Sequence, residues 1–169
     1  MSLFLEFDDV DTFTTTAIGE PGSRTFYLFA RSGPQRVSVK CEKQQVSAIA
    51  QYLRRVLNDL PPPEDRPLEG SLQQVDPVEQ SFVLGPIGLG YDRGNDRLLV
   101  QLEELAATDD DADRDDDATD RSHIRLYVTR GQAAAFCDYA DELVSAGRPS
   151  CVWCGNPIDP DGHPCPRMN

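Results

Sequence analysis

Twice along this chain, segments with the two-residue hydrophobic period of β-strands lead into an amphipathic helix. In the first half, the alternating segment from Arg36 to Cys41 precedes residues 46–60, whose apolar side chains recur at helical spacing. Pro61 and the two prolines after it end that helix. In the second half, a strand from His123 to Thr129 precedes a helix from Gly131 to Ala146. This double change of period restricts the chain to folds that contain both a sheet and helices.

The simplest fold of this kind is an α+β domain over residues 1–149, with an antiparallel sheet and two helices on one of its faces. At 169 residues, the chain is long enough to bury a core without a metal or disulfides. Alternation along the strands predicts which side chains meet the helices. They are Phe26, Leu28, Val37, Val39, Leu126 and Val128.

The two halves of the domain, residues 1–60 and 80–147, resemble each other. Gln45 and Tyr52 match Gln132 and Tyr139 at one offset of 87 residues, and Phe13 matches Phe82 at an offset of 69. These matches predict a duplicated strand-strand-strand-helix unit, with longer loops in the second copy. A single α+β domain without a repeat is the alternative.

A cluster of metal ligands lies in residues 150–169. Cys151, Cys154, His163 and Cys165 supply three thiolates and an imidazole within fifteen residues, which is the ligand set of a tetrahedral zinc site. Four protein ligands leave no position for water, so we expect a structural Zn²⁺ in a small knuckle. A redox Cys-x-x-Cys pair, an iron site and a tail without metal are the alternatives. Trp153, between the first two ligands, either packs the knuckle onto the domain or contacts a partner.

The charge of the chain excludes several classes of partner. The net charge is −13, and residues 109–120 contribute −7 of it through eight Asp and one Arg. Such a surface repels nucleic acids and anionic lipids, and we expect neither as a partner. We interpret the Asp-rich loop, residues 108–121, as solvated, because a calcium loop would need Gly where Arg114 stands. No segment has the length or character of a membrane span or signal peptide, so we expect a cytoplasmic protein.

Groups for catalysis are scarce. The glycine-rich run Gly85 to Gly90 lacks the following helix of a phosphate loop and is better interpreted as a bent strand. His123 and the acidic residues near the N-terminus are expected at the surface. The basic residues concentrate around the first strands, where they form either a solvent-facing sheet surface or the wall of a pocket. They are Arg24, Arg31, Arg36, Lys40 and Lys43.

The chain resembles a family of uncharacterised actinobacterial proteins. The resemblance lies in the stretches Tyr27 to Arg31, Val39 to Gln45 and Cys151 to Arg167, the last with its Cys-x-x-Cys-Gly and Gly-His-x-Cys-Pro-Arg elements. It implies that the metal ligands are those of the family. It also implies that the gene stands beside those of a phosphomutase-like and a phosphoinositide-kinase-like protein. It lends no activity to any residue, and the Asp-rich loop lies outside it.

Two functions follow as hypotheses. The first is a non-catalytic adaptor or regulator that binds a protein partner through its knuckle or sheet. The second is an enzyme or ligand-binding protein that acts on a phosphorylated small molecule together with the phosphomutase-like neighbour. Strand alternation places Arg36, Ser38 and Lys40 on one face of their strand. The second hypothesis requires that the basic side chains around Arg36 and Lys40 line a pocket.

Overall fold

Seven strands and two helices make up the part of the protein that the structure, a computed structural model, describes: residues 3–20, 22–64, 66–67, 72, 80–106, 121–145, 152–154 and 165. The strands are β1 (Phe4–Phe7), β2 (Thr12–Ile18), β3 (Thr25–Ser32), β4 (Gln35–Cys41), β5 (Gln80–Asp92), β6 (Arg97–Glu104) and β7 (His123–Val128). The helices are α1 (Lys43–Asn58), between β4 and β5, and α2 (Arg130–Ser145), after β7.

The strands form one mixed sheet in the order β1-β7-β6-β5-β4-β3-β2. Strands β2, β3 and β4 make an antiparallel meander, and so do β5, β6 and β7. The meanders join through β4 and β5, which run parallel, and β1 adds to β7 in parallel. The prediction of a purely antiparallel sheet was therefore wrong. Alternation does not report strand direction, whereas a helix crossover such as α1 returns the chain parallel to the strand it left.

The sheet must curve strongly, because its two edge strands are consecutive in the chain. The step from Phe7 to Thr12 can span at most about 18 Å. Seven strands in a flat sheet would place the two edges about 29 Å apart. The short connection is also hydrogen-bonded to the sheet, since the Asp11 amide donates to the Arg31 carbonyl of β3 at 2.8 Å.

One face of the sheet and both helices enclose a single core. All the inward strand residues predicted from the sequence are buried, as are Cys41 and Cys137. Helix α1 contributes Val46, Ile49, Ala50 and Leu53 to this core. Phe13 of β2 stacks on Phe136 of α2 with 4.4 Å between the ring centroids. The α+β class and the two helices are thus confirmed.

Both helices begin in the same way. The side-chain oxygen Oε1 of Gln45, at the third position of α1, accepts the Glu42 amide at 2.8 Å, and that of Gln132 accepts the Thr129 amide at 2.9 Å. Their Nε2 groups donate to more distant backbone carbonyls: Gln45 to Leu84 and Gly85 in β5, and Gln132 to Val10 in the connection between β1 and β2. Each glutamine therefore caps its helix and also fixes it to another part of the chain: Gln45 fixes α1 to β5, and Gln132 fixes α2 to the connection between β1 and β2.

The glycine-rich run lies in a bent strand, as predicted. The pairing of β5 with β6 shifts between Leu84 and Ile87. Gly85 stands at this bend, where a Cβ atom would come within 2.7 Å of the Leu105 Cα. The Asp-rich loop lies outside the described residues, except Arg121. Among the described helices none has the length and apolar character needed to cross a membrane.

Candidate functional site

A pocket of about 440 Å³ opens where β3 begins, β4 ends and α1 starts, beside the end of α2. Ten residues line it: Gly22, Arg24, Thr25, Phe26, Lys40, Cys41, Glu42, Lys43, Val144 and Ser145. Its volume lies within the range of pockets that hold metabolite-sized ligands.

Three cations surround this pocket. Arg24 precedes β3 and places its guanidinium over the ring of Phe26, 5.2 Å from the centroid. Lys40 lies near the end of β4, and Lys43 is the first residue of α1. They include both lysines of the whole chain. In the described part of the protein, none of the three forms an ion pair.

The expected basic set is only partly brought together. Arg31 and Arg36 pair directly with each other across β3 and β4, but they do not line the pocket. Ser38, expected on the same strand face as Arg36 and Lys40, is buried. The pocket therefore gathers the cations that lie at the strand and helix ends and leaves out those near the β3–β4 turn.

Cys41 forms part of the pocket wall without being a reactive thiol. It is buried, and burial together with the nearby Glu42 carboxylate raises its pKa to about 12. The thiol is therefore protonated at neutral pH and is a poor nucleophile. Its role in the wall is that of a small apolar surface.

The remaining wall supplies hydrogen-bond acceptors. Glu42 lines the pocket with an exposed side chain. Ser145, in the last turn of α2, donates its hydroxyl to the Asp141 carbonyl at 2.6 Å, which leaves its oxygen lone pairs available. The pocket thus has a cationic side and a side that can accept hydrogen bonds.

The start of α2 looks different, because its first residue is neutralised. Arg130 Nε lies 3.1 Å from the carboxylate of Asp96, and its guanidinium also donates to the Pro61 carbonyl. The Tyr91 hydroxyl donates to the same carboxylate at 2.7 Å. These two partners lower the pKa of Asp96, with the bond from Tyr91 as the larger cause, and the carboxylate raises the pKa of Tyr91.

Two further cavities carry mixed charges. One of about 380 Å³ is lined by Asp8, Asp92, Asn95, Arg97 and Tyr127. The other, of about 190 Å³, lies between Leu72 and the outer side of α2 and includes Arg66 and Asp138, which pair with each other at 2.9 Å. In both of these cavities carboxylates outnumber cations, whereas cations outnumber carboxylates in the first pocket.

The predicted zinc ligands are only half described. Cys154 is partly buried and Cys165 is buried, whereas Cys151 and His163 lie outside the described residues. Within the described part of the chain, no group of three potential ligands is close enough to hold a metal ion. Val152 and Trp153, beside Cys154, are 92% and 61% exposed.

Comparison with known protein families matches residues 5–165 to the family described as protein of unknown function, DUF3090. The chain belongs to this family. The match spans both helices, the residues that line the basic pocket and the tail through Cys165. Comparisons with curated proteins and with solved structures found no match.

The signal that could have located the pocket is the position of the lysines. Lys40 precedes Cys41 and Lys43 follows it, where a predicted strand leads into a predicted helix. Arg24 becomes their neighbour only through the pairing of β3 with β4, which joins Phe26 to Cys41. Strand alternation had directed attention to Arg36 instead.

Proposed function

We propose that the protein binds a phosphorylated small molecule in the basic pocket. The observation that carries this proposal is that Arg24, Lys40 and Lys43 surround one cavity without an ion-pair partner among the described residues. Grouped cations that lack a partner repel one another, and a phosphate group would neutralise them. The chain as a whole has a net charge of −13, whereas this cavity is lined by three cations and one carboxylate.

The start of α1 adds to this preference. The first amides of a helix have no partner within the helix, and the helix dipole favours negative charge there. In α1, the amides of Gln45 and Val46 turn back to the Glu42 carbonyl. The amides of Lys43 and Gln44 have no acceptor among the described residues and can donate to a phosphate oxygen.

The acceptors on the other side favour a ligand that also carries donors. Glu42 and the Ser145 oxygen can accept hydrogen bonds from hydroxyl groups. The class that fits both sides is a phosphorylated sugar or polyol. Cys41 is protonated, and the described residues that line the pocket include no histidine. We therefore propose binding without turnover, and a regulatory link to the phosphomutase-like neighbour implied by the family resemblance.

The experiment is a thermal-shift panel of phosphorylated small molecules and their unphosphorylated counterparts. We expect at least one phosphorylated compound to raise the unfolding midpoint and its counterpart to have no effect. Lys43→Ala and Lys40→Ala should remove the shift, whereas Arg36→Ala, which removes a charge outside the pocket, should retain it. Equal shifts with Lys43→Ala and wild type would overturn the proposal.

A second function concerns the tail. We infer that Cys151, Cys154, His163 and Cys165 hold a structural Zn²⁺ and that the knuckle serves as an adaptor surface for a protein partner in the cytoplasm. The exposure of Val152 and Trp153 supports a contact role. Exposed apolar side chains on a small rigid unit are typical of partner contacts.

Two measurements test the tail. Elemental analysis of the purified protein should find one zinc per chain, and Cys154→Ser should lose it. Affinity capture with the wild type as bait should repeatedly recover one partner protein. Capture with Trp153→Ala should lose that partner although the variant retains zinc. A protein without stoichiometric metal would refute the zinc site, and equal capture by Trp153→Ala would refute the contact.

We also propose that the two halves of the domain are copies of one unit. The identical capping by Gln45 and Gln132 supports this, as does the helix that follows the last strand of each meander. On this view the basic pocket is the first copy of a site whose second copy contains Arg130 and Asp96.

A further inference from the structure

Strand pairing gives the starts of the two helices equivalent positions. The last residue of β4 and the last residue of β7 each pair with a residue near the beginning of the preceding strand. In both cases a helix begins two residues later. The equivalent residues of the first and second meander are Phe26 and Leu98, Cys41 and Val128, Lys43 and Arg130, and Arg24 and Asp96.

The charges at these positions differ in one decisive respect. In the second meander the cation that begins the helix, Arg130, is neutralised by Asp96, whose carboxylate lies 3.1 Å from it. In the first meander the cation is Lys43, but the position equivalent to Asp96 holds Arg24. A carboxylate is thus replaced by a second cation. The first meander therefore has no anion at the position equivalent to Asp96. Glu42, which precedes Lys43 and lines the pocket, forms no ion pair with Lys43 or Arg24 among the described residues.

We propose that the phosphate group of the ligand binds between Arg24 and Lys43, in the place that the Asp96 carboxylate takes beside Arg130. This inference rests on the proposed function and assigns its anion subsite. Arg24 offers a planar fork of donors for two oxygens, and Lys43 offers a compact charge at the helix start. Lys40 then contacts the rest of the ligand or adds to the positive electrostatic potential of the pocket.

On this assignment, the charge of residue 24 determines whether the subsite can bind a phosphate group. Arg24→Asp restores the charge pattern of the second meander, so the new carboxylate pairs with Lys43 and takes the place of the phosphate. The variant should therefore lose phosphate binding without losing stability. A residue that only supports the fold would give the reverse result, because replacing it would lower stability.

Isothermal titration with inorganic phosphate at constant ionic strength, combined with thermal unfolding, tests this. We expect the wild type to bind, Arg24→Asp to bind at least about tenfold more weakly, and its unfolding midpoint without phosphate to equal or exceed that of the wild type. Arg24→Ala should lose binding without any gain in midpoint. Arg31→Asp, the same charge reversal outside the pocket, should keep most of the affinity.

The outcomes separate the two proposals. If the wild type binds phosphate, Lys43→Ala does not, and Arg24→Asp binds as well as the wild type, the subsite is wrong while the pocket function stands. If Arg24→Asp loses binding because it unfolds at a lower temperature than Arg24→Ala, the equivalence with Asp96 is wrong. If the wild type binds neither phosphate nor any phosphorylated compound, both proposals fall.

Discussion

Gln45 donates from Nε2 to the carbonyl of Gly85 at 3.2 Å, and this bond ties the start of α1 to the bend in β5. The same residue caps the helix through its Oε1 atom, so the pocket-forming start of α1 is held from two directions. The conformation of the bend therefore bears on the position of Lys43, two residues before Gln45.

Substitution of Gly85 should destabilise the protein more than substitution of another glycine in the same strand. A Cβ at Gly85 would meet backbone atoms of Leu105 and Glu104 at 2.7–3.1 Å, which cannot move as a side chain can. We expect Gly85→Ala to lower the free energy of unfolding by about 2 kcal/mol. At Gly90 nothing lies within 4 Å of an added Cβ, so Gly90→Ala should be close to neutral. Chemical denaturation compares the two, and equal losses would contradict the packing at the bend.

The aromatic pair between β2 and α2 should be a major contributor to stability. Phe13 and Phe136 are almost completely buried and stack face to face. Replacing Phe136 by Ala removes the stack and leaves a cavity, which should cost about 3–5 kcal/mol. Leu105→Ala, at a side chain 54% exposed, is the control and should cost much less. A small effect of Phe136→Ala in urea unfolding would mean that α2 does not dock on β2 as described.

Much of this core could be predicted from the sequence, because burial imposes a period on it. Val37 and Val39 alternate with polar neighbours, and Ile49 and Leu53 recur at helical spacing. The buried face of β4 and the buried face of α1 were therefore identified correctly. The pairing of the strands at the edge of the sheet could not be predicted. Strand β1 has four residues, and nothing in Phe4 to Phe7 specifies β7 as its partner, 119 residues further along the chain from Phe4 to His123.

The site was predicted less completely than the core for a similar reason. Local patterns indicate which residues share a strand face, so Arg36 and Lys40 were grouped. A pocket at the ends of elements depends on long-range pairing, which brings Arg24 to Lys43 and leaves Arg36 outside. The zinc ligands are the opposite case: their signal is local and clear in the sequence, and that prediction awaits its test.

Acid should weaken the second-meander ion pair in a way that identifies Asp96. Hydrogen bonds from Tyr91 and Arg130 lower its pKa in the folded protein below that of the unfolded chain, about 3.9. Its contribution to stability is therefore complete above the unfolded pKa and is lost as pH falls through the folded one. Asp96→Asn should flatten the acid side of the stability curve, measured as unfolding midpoint against pH. Asp9→Asn, which removes an exposed carboxylate elsewhere, should leave that slope unchanged; equal slopes for wild type and Asp96→Asn would contradict the ion pair.

The five cysteines should fall into two classes of reactivity. Burial raises the pKa of Cys41 to about 12 and that of Cys137 to about 11, so neither should react with a thiol reagent at neutral pH until the protein unfolds. If zinc is bound, the three tail thiols should be protected until a strong chelator removes it. A timed titration with a chromogenic disulfide should show three thiols released by chelator and two by denaturant. Reaction of all three tail thiols without chelator would contradict the zinc site.

The most direct test of the basic pocket uses the fact that Lys40 and Lys43 are the only lysines of the chain. Reductive methylation with ¹³C-formaldehyde labels these two amines and the N-terminal amine, and ¹³C–¹H spectra then report on the pocket. On addition of inorganic phosphate at constant ionic strength, both lysine signals should shift along one saturable curve. In Arg24→Asp, the Lys43 signal should need at least about tenfold more phosphate for the same shift. Lysine signals that do not move with phosphate, or that move identically with chloride, would contradict the account.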